Sequence, residues 1–153
     1  MIQTVGIAGS GTMGAGIAIV AARAGFRTIV YDTAQSALDR ARKQTEAFLA
    51  RSVERKRLTQ AQVDRALSGL QASTDIGALA QCDLVIEAVF EDLKVKHTLL
   101  GKLDQVCPPS TLFASNTSTL SITEIGAGSG RDERVVGMHF CLPAQLMKLV
   151  EMS

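Results

Sequence analysis

The strongest chemical signal lies near the start of the chain, in Gly9, Ser10, Gly11, Thr12, Met13 and Gly14. The three glycines follow a short apolar run over residues 4–8 and open a helical pattern. At such a junction the glycines differ in what they allow. Gly9 permits a tight turn, Gly11 keeps the backbone open to a pyrophosphate, and Gly14 lets the helix pack closely on the strand. An anionic diphosphate would sit on the free N–H groups of the helix start, with Thr12 and Met13 in the same cradle. Asp32 closes the next apolar run 18 residues after Gly14, near the ~20-residue interval at which a carboxylate meets an adenosine ribose. Thr33 and Ala34 follow, with no Arg placed to receive a 2′-phosphate, so NAD is favoured over NADP. A glycine turn without a ligand, and a site for FAD or another nucleotide, are the competing readings of these residues.

Such a cradle must be held between a strand and a helix, and the rest of the chain supplies the pattern. Short runs rich in Val, Ile and Leu predict strands over residues 4–8, 27–31, 83–89, 111–115, 134–140 and 148–152. The first two flank the helix that Gly25 stops; a second helix is expected from Ser36 through Arg55, and Thr59 with Gln62 forms a capping box for a third. A fourth runs from Asp92 to Val106 and is halted by Pro108 and Pro109. Strands alternating with helices, several strands being apolar throughout, predict a Rossmann-type doubly wound α/β fold with a mostly parallel sheet. The helical pattern over residues 36–70 is longer than one crossover needs, and its middle carries Arg51, Arg55, Lys56 and Arg57. It reads either as a protruding helical hairpin or as a solvated charged face. Residues 126–130, Gly-Ala-Gly-Ser-Gly, read as a flexible loop with no phosphate-binding role, because no helix follows.

Composition narrows the partners. In 153 residues, 46% hydrophobic and 20% charged, Lys plus Arg number 16 against 15 for Asp plus Glu, which is a globular balance without the basic excess of a nucleic-acid or membrane-surface binder. No apolar run reaches a membrane span and no signal-peptide pattern opens the chain, so the expected location is cytoplasmic. Cys82, Cys107 and Cys141 have neither disulfide nor zinc spacing and are expected as reduced thiols.

Three further motifs are informative together: EAVFEDLKVK at residues 87–96, ASNTSTLSI at 114–122, and GMHFCLPAQLMKLVEM from Gly137. With the amino-terminal fingerprint, this series closely resembles the nicotinamide domain of the L-3-hydroxyacyl-CoA dehydrogenases, the 3-hydroxybutyryl-CoA dehydrogenases among them. The resemblance covers essentially the whole chain. It implies an NAD-dependent oxidoreductase that moves a hydride between NAD and C3 of a 3-hydroxyacyl-CoA, in fatty-acid or related acyl-CoA metabolism.

Residue by residue, the resemblance makes His139 the catalytic histidine and Glu151 its acidic partner. The chemistry requires such a pair, since the 3-hydroxyl proton must leave with the hydride and an imidazole with an unperturbed pKa near 6.5 takes it at neutral pH. Without the resemblance, His139 on an apolar strand would read as a core histidine. Ser118 matches a serine that bonds the substrate oxygen beside the nicotinamide, and Asn116 an asparagine shaping the same site; turn and cap chemistry would also explain both. Glu91 and Lys96 match positions on the ribose and nicotinamide side, although alone they would read as exposed charges at a helix start. Arg55 and Lys56 fall where the family contacts CoA from a helical arm, while Phe48 replaces a polar arm residue.

Two departures stand out, one at Leu142 and one in length. Leu142 replaces an asparagine that contacts the cofactor near its nicotinamide end; Cys141, beside His139, reads as structural. Residues 1–153 are expected to be the NAD-binding domain alone, short of the family's last helix and strand and of the helical domain that closes the cleft and forms most of the dimer interface. The implied partners are an acyl-CoA substrate and, in the complete enzyme, a second copy or a helical partner domain; no nucleic acid or membrane is implied. The alternative is a non-catalytic NAD-binding module, or a subunit that requires a separate helical partner.

Overall fold

A computed structural model describes residues 1–153. The element order is β1 (Thr4–Ala8), α1 (Thr12–Arg23), β2 (Arg27–Tyr31), α2 (Gln35–Glu54), α3 (Gln60–Ser68), β3 (Leu70–Ser73), β4 (Leu84–Glu87), α4 (Leu93–Val106), β5 (Leu112–Ser115), α5 (Ile122–Ala127), β6 (Val135–Phe140) and β7 (Val150–Met152). Short 3₁₀ helices at Ile76–Gln81 and Asp132–Arg134 complete the chain.

The seven strands form one sheet in the order β3-β2-β1-β4-β5-β6-β7. Every pairing is parallel except β6 with β7, which is antiparallel. The chain winds outward from β1 through β2 to β3, then returns to place β4 on the other side of β1. This reversal opens a crevice at the carboxyl ends of β1 and β4, the place where doubly wound sheets bind ligands.

Alternation along the strands divides the core between two layers. Val5, Ile7, Val30, Ile86 and Ala114 pack with Ile17, Ala18 and Leu38 of α1 and α2. Ile29, Tyr31, Val85 and Phe113 pack on the opposite face with Leu100, Leu103 and Ile125 of α4 and α5. Because both faces are covered at the centre of the sheet, β1 and β4 are buried along their whole length, and each fully buried Ile or Leu contributes ~1.5–3 kcal/mol. No helix is long and apolar enough to cross a membrane.

Three local expectations need correction. The residues after α3, expected to remain helical to Leu70, form β3, which pairs with β2 from Thr28 opposite Leu70 to Tyr31 opposite Ser73. Leu70, Gln71, Ala72 and Ser73 contain no β-branched or aromatic residue, so pairing rather than propensity makes this strand. The strands expected at 83–89, 111–115, 134–140 and 148–152 are shorter, running over Leu84–Glu87, Leu112–Ser115, Val135–Phe140 and Val150–Met152. The 126–130 segment is not a loose loop: Gly126 and Ala127 belong to α5, and the buried Ser129 hydroxyl donates to the Gly126 carbonyl at 2.6 Å.

The long crossover from β2 to β3 is a helical hairpin. α2 has 20 residues, ~30 Å at 1.5 Å per residue, and turns at residues 55–58 into α3. The capping box is formed: the Gln62 N–H donates to Thr59 Oγ1 at 3.2 Å and the Thr59 N–H to Gln62 Oε1 at 2.9 Å. Val63 and Ala66 of α3 are buried, while Arg55, Lys56 and Arg57 at the turn are exposed.

Candidate functional site

The crevice is built in two halves. In the first, Gly9 has φ +107°, a conformation that L side chains rarely adopt, and a Cβ there would lie 2.7 Å from the Ala88 carbonyl oxygen. A Cβ on Gly14 would overlap the Gly9 carbonyl, so α1 and β1 approach as closely as they do only with glycine present. Gly11, the N-cap of α1, faces open space instead. No side chain caps α1 and its first turn holds no acidic residue, which leaves the N–H groups of that turn and their dipole available to an anion. This is a cradle of the shape and polarity that a diphosphate requires.

Asp32, just past β2, stands beside the cradle. Its Oδ2 accepts from the Ser10 N–H at 3.0 Å and the Ser10 hydroxyl at 2.8 Å, and its Oδ1 accepts from the Ala34 N–H at 3.1 Å. Burial pushes this carboxyl up, but the hydrogen bonds from Ala34 and Ser10 outweigh it and hold Asp32 below the usual carboxylate range. Sequence reasoning does not single out Ser10. Its signal is a hydroxyl residue between two glycines of the motif, and the structure buries it.

The second half lies at the carboxyl ends of β4, β5 and β6, around a cavity of about 320 Å³ whose lining includes Met13, Glu91, Lys96, Asn116, Ser118, His139 and Leu142. Antiparallel pairing sets His139 opposite Glu151, and the imidazole Nδ1 lies 3.0 Å from Glu151 Oε2. His139 is therefore no satisfied core residue: its side chain is 33% exposed, and the ring lines the cavity. A carboxylate on Nδ1 fixes the ring's orientation and tautomer, and leaves Nε2 as the acceptor for a proton.

Around it the turn after β5 is tightly bonded. The Asn116 Oδ1 accepts from the Phe140 N–H at 2.9 Å, which ties that turn to β6. Glu91 accepts from the Thr117 hydroxyl at 2.6 Å, the Ser118 N–H at 3.1 Å and the Ser118 hydroxyl at 3.4 Å. Burial raises the Glu91 carboxyl, yet the Thr117 and Ser118 bonds and the Lys96 ammonium bring it below its ordinary value.

Lys96 departs most from its appearance in sequence. Instead of an exposed helix-start charge it is 1% exposed, and its Nζ donates to both oxygens of Glu87 at 2.7 and 2.9 Å. Sequence reasoning passes over Glu87, whose signal is an acid closing an apolar strand, as Asp32 closes the run of β2.

Arg55 and Lys56 are not part of this cavity. They sit at the hairpin turn, and Arg57, Arg65, Arg23 and Lys148 line a separate groove of about 640 Å³ with Phe48 in its wall and no acidic residue. Thr12 is exposed at the start of α1.

The family model described as 3-hydroxyacyl-CoA dehydrogenase, NAD binding domain, matches residues 4–153. The chain is 51% identical over 150 residues to 3-hydroxyadipyl-CoA dehydrogenase of Escherichia coli, covering 98% of this chain and 32% of that protein. It is 41% identical over 150 residues to a probable 3-hydroxybutyryl-CoA dehydrogenase of Bacillus subtilis, covering 98% and 52%. Among solved structures, 3-hydroxybutyryl-CoA dehydrogenase from Escherichia coli K12 superposes with a TM-score of 0.97 at 51% identity, over 99% of this chain and 32% of that one. The (S)-3-hydroxybutyryl-CoA dehydrogenase from Ralstonia eutropha gives 0.96 at 37% identity, over 99% and 54%. The chain thus spans about a third to a half of the length of these relatives.

Proposed function

Because the chain belongs to the family of 3-hydroxyacyl-CoA dehydrogenase NAD-binding domains, we propose that its crevice serves the interconversion of a 3-hydroxyacyl-CoA and the 3-oxoacyl-CoA. The observation that carries this reading is the His139–Glu151 pair, 3.0 Å apart, opening onto the same cavity as Ser118.

NAD is the family's cofactor, and the donor set fits it: the uncapped start of α1 for the diphosphate, Asp32 for the adenosine ribose, and Glu91, Lys96 and Asn116 for the far end. When bound, NAD would supply the hydride acceptor for C3 of the substrate. His139 takes the 3-hydroxyl proton on Nε2, while Glu151 holds the ring and stabilises the imidazolium. Ser118 places the substrate oxygen within reach of that nitrogen. Arg55 and Lys56 receive the CoA phosphates from the hairpin. In the reverse direction the same imidazolium returns the proton, so one pair serves both.

The relatives are longer than this chain, and we assign the rest of the acyl-CoA cleft to a helical domain of theirs beyond the matched segment, acting with residues 1–153 as the cofactor domain. The second reading, a cofactor-binding module without turnover of its own, is favoured by Leu142, 61% exposed on the cavity wall where the family's asparagine would bond the cofactor.

The test is NADH formation from 3-hydroxybutyryl-CoA by the chain alone and with the helical segment of a relative supplied in trans. Turnover that depends on, or is strongly raised by, the added segment supports a cofactor domain of a dehydrogenase. NADH binding with no turnover in either case would leave only the module reading.

A further inference from the structure

Beneath the nicotinamide side of the crevice lies a carboxylate that the proposed chemistry does not use. Glu87 ends β4 with its side chain fully buried, and its partner Lys96, in the first turn of α4, is buried with it. The four lone-pair sites of Glu87 are all spent. Oε1 accepts from Lys96 Nζ at 2.7 Å and from the Ser115 hydroxyl; Oε2 accepts from Lys96 Nζ at 2.9 Å and from the Val89 N–H at 3.2 Å. Glu87 therefore has no acceptor left for a ligand.

Lys96 is in a different position. Two of its three donors go to Glu87, and beyond them Glu91 Oε1 lies 3.5 Å away. Glu91 in turn holds the Ser118 N–H and hydroxyl. The four residues make a line from core to crevice: Glu87, Lys96, Glu91, Ser118. Stability alone does not call for such a line, because a buried ion pair can often be exchanged for apolar side chains of similar volume without loss. Its position in the wall of the cavity, at the carboxyl ends of the strands, points to a geometric duty.

We propose that Glu87 is a positioning residue for the nicotinamide half of the cofactor. It anchors the Lys96 ammonium so that Glu91 and the Ser118 turn keep the arrangement that receives the nicotinamide and its ribose. The inference rests on the cofactor reading above and adds to it a residue that acts through Lys96 without touching the ligand.

The experiment compares binding of NADH and of ADP to the full chain and to Glu87→Gln, Lys96→Gln and the double variant. ADP carries the adenosine ribose and diphosphate but lacks the nicotinamide half, so it reports the first half of the crevice alone. Glu87→Gln is expected to weaken NADH at least about ten-fold, the scale of a lost charge-assisted hydrogen bond, and to leave ADP unchanged. In the Lys96→Gln background, Glu87→Gln is expected to add nothing. Because a lone buried ammonium in Glu87→Gln can unfold the chain, Glu87→Met with Lys96→Met gives a second test with both charges removed and volume kept. It too is expected to lose NADH affinity and retain ADP. Equal weakening of NADH and ADP, multiplicative effects of the two Gln variants, or unaltered NADH binding in any folded Glu87 variant would overturn the inference alone. A wild-type chain that binds neither ligand would overturn the cofactor reading together with it.

Discussion

At the scale of single residues, the crevice is controlled by bonds that hold carboxylates in place. Asp32 would meet a ribose diol, but Ser10 already donates to it twice, from N–H and hydroxyl. Ser10→Ala removes one donor at a cost of ~1 kcal/mol, and NADH affinity is expected to fall about five-fold in calorimetry while NADPH affinity, expected to be the weaker of the two, changes less. Unchanged affinity for both would make the Ser10 hydroxyl idle. Asp32 also gives a pH test. Its pKa is depressed in the folded state, so its contribution to stability is present above the unfolded carboxylate value and lost as pH falls through the folded one. The melting-temperature advantage of wild type over Asp32→Asn should be full near about pH 7 and shrink toward about pH 3; an advantage that grew on acidification would contradict the assignment. Gly9, Gly14 and Asp32 are legible because their spacing encodes a strand, a turn and a helix in one short window. Ser10 and Glu87 are less so: each has a local mark, a hydroxyl inside the glycine motif or an acid closing an apolar run, but what it does is decided by a partner 22 or 9 residues away.

At the scale of elements, the alternation of strands and helices is readable, and the places where it fails are decided by tertiary pairing. β3 exists because β2 offers it an edge, and the pairing of β7 with β6 brings Glu151 to His139. Arg131 shows the same dependence at the opposite end of the sheet. Its guanidinium bonds the Asp104 carboxylate at 2.7 Å, donates to the carbonyls of Asp104, Cys107, Pro108 and Thr111, and lies 4.5 Å over the Phe113 ring. It thereby satisfies two carbonyls at the end of α4, those of Asp104 and the C-cap Cys107, and two in the proline turn that follows. Arg131→Ala is expected to destabilise the chain by ~2–4 kcal/mol in denaturant titration, and Arg131→Lys to recover only part of this, since an ammonium lacks the planar fork. Full recovery by Lys would show that charge alone matters there.

For the whole molecule, the sheet order explains why one crevice holds both halves of the site: the reversal between β1 and β4 sets the diphosphate cradle beside the His139 cavity. Fold class follows from composition and periodicity, whereas His139, Glu151 and Ser118 can be assigned roles only through family resemblance, since their proximity depends on the register in which β6 meets β7 and on the turn after β5. Leu142 is where this chain departs from that pattern, and its exposure makes replacement harmless to the fold. Leu142→Asn is expected to tighten NADH about five-fold by one regained hydrogen bond with no change in melting temperature; unaltered affinity would place that side chain outside the cofactor's reach. The central claim is proton transfer by His139, and it is tested most directly by 3-hydroxybutyryl-CoA-dependent NADH formation with the helical segment of a relative present, in wild type and in His139→Gln. The account predicts a loss of ~10²–10⁴ in rate with NADH affinity retained, and equal rates in the two proteins would contradict it.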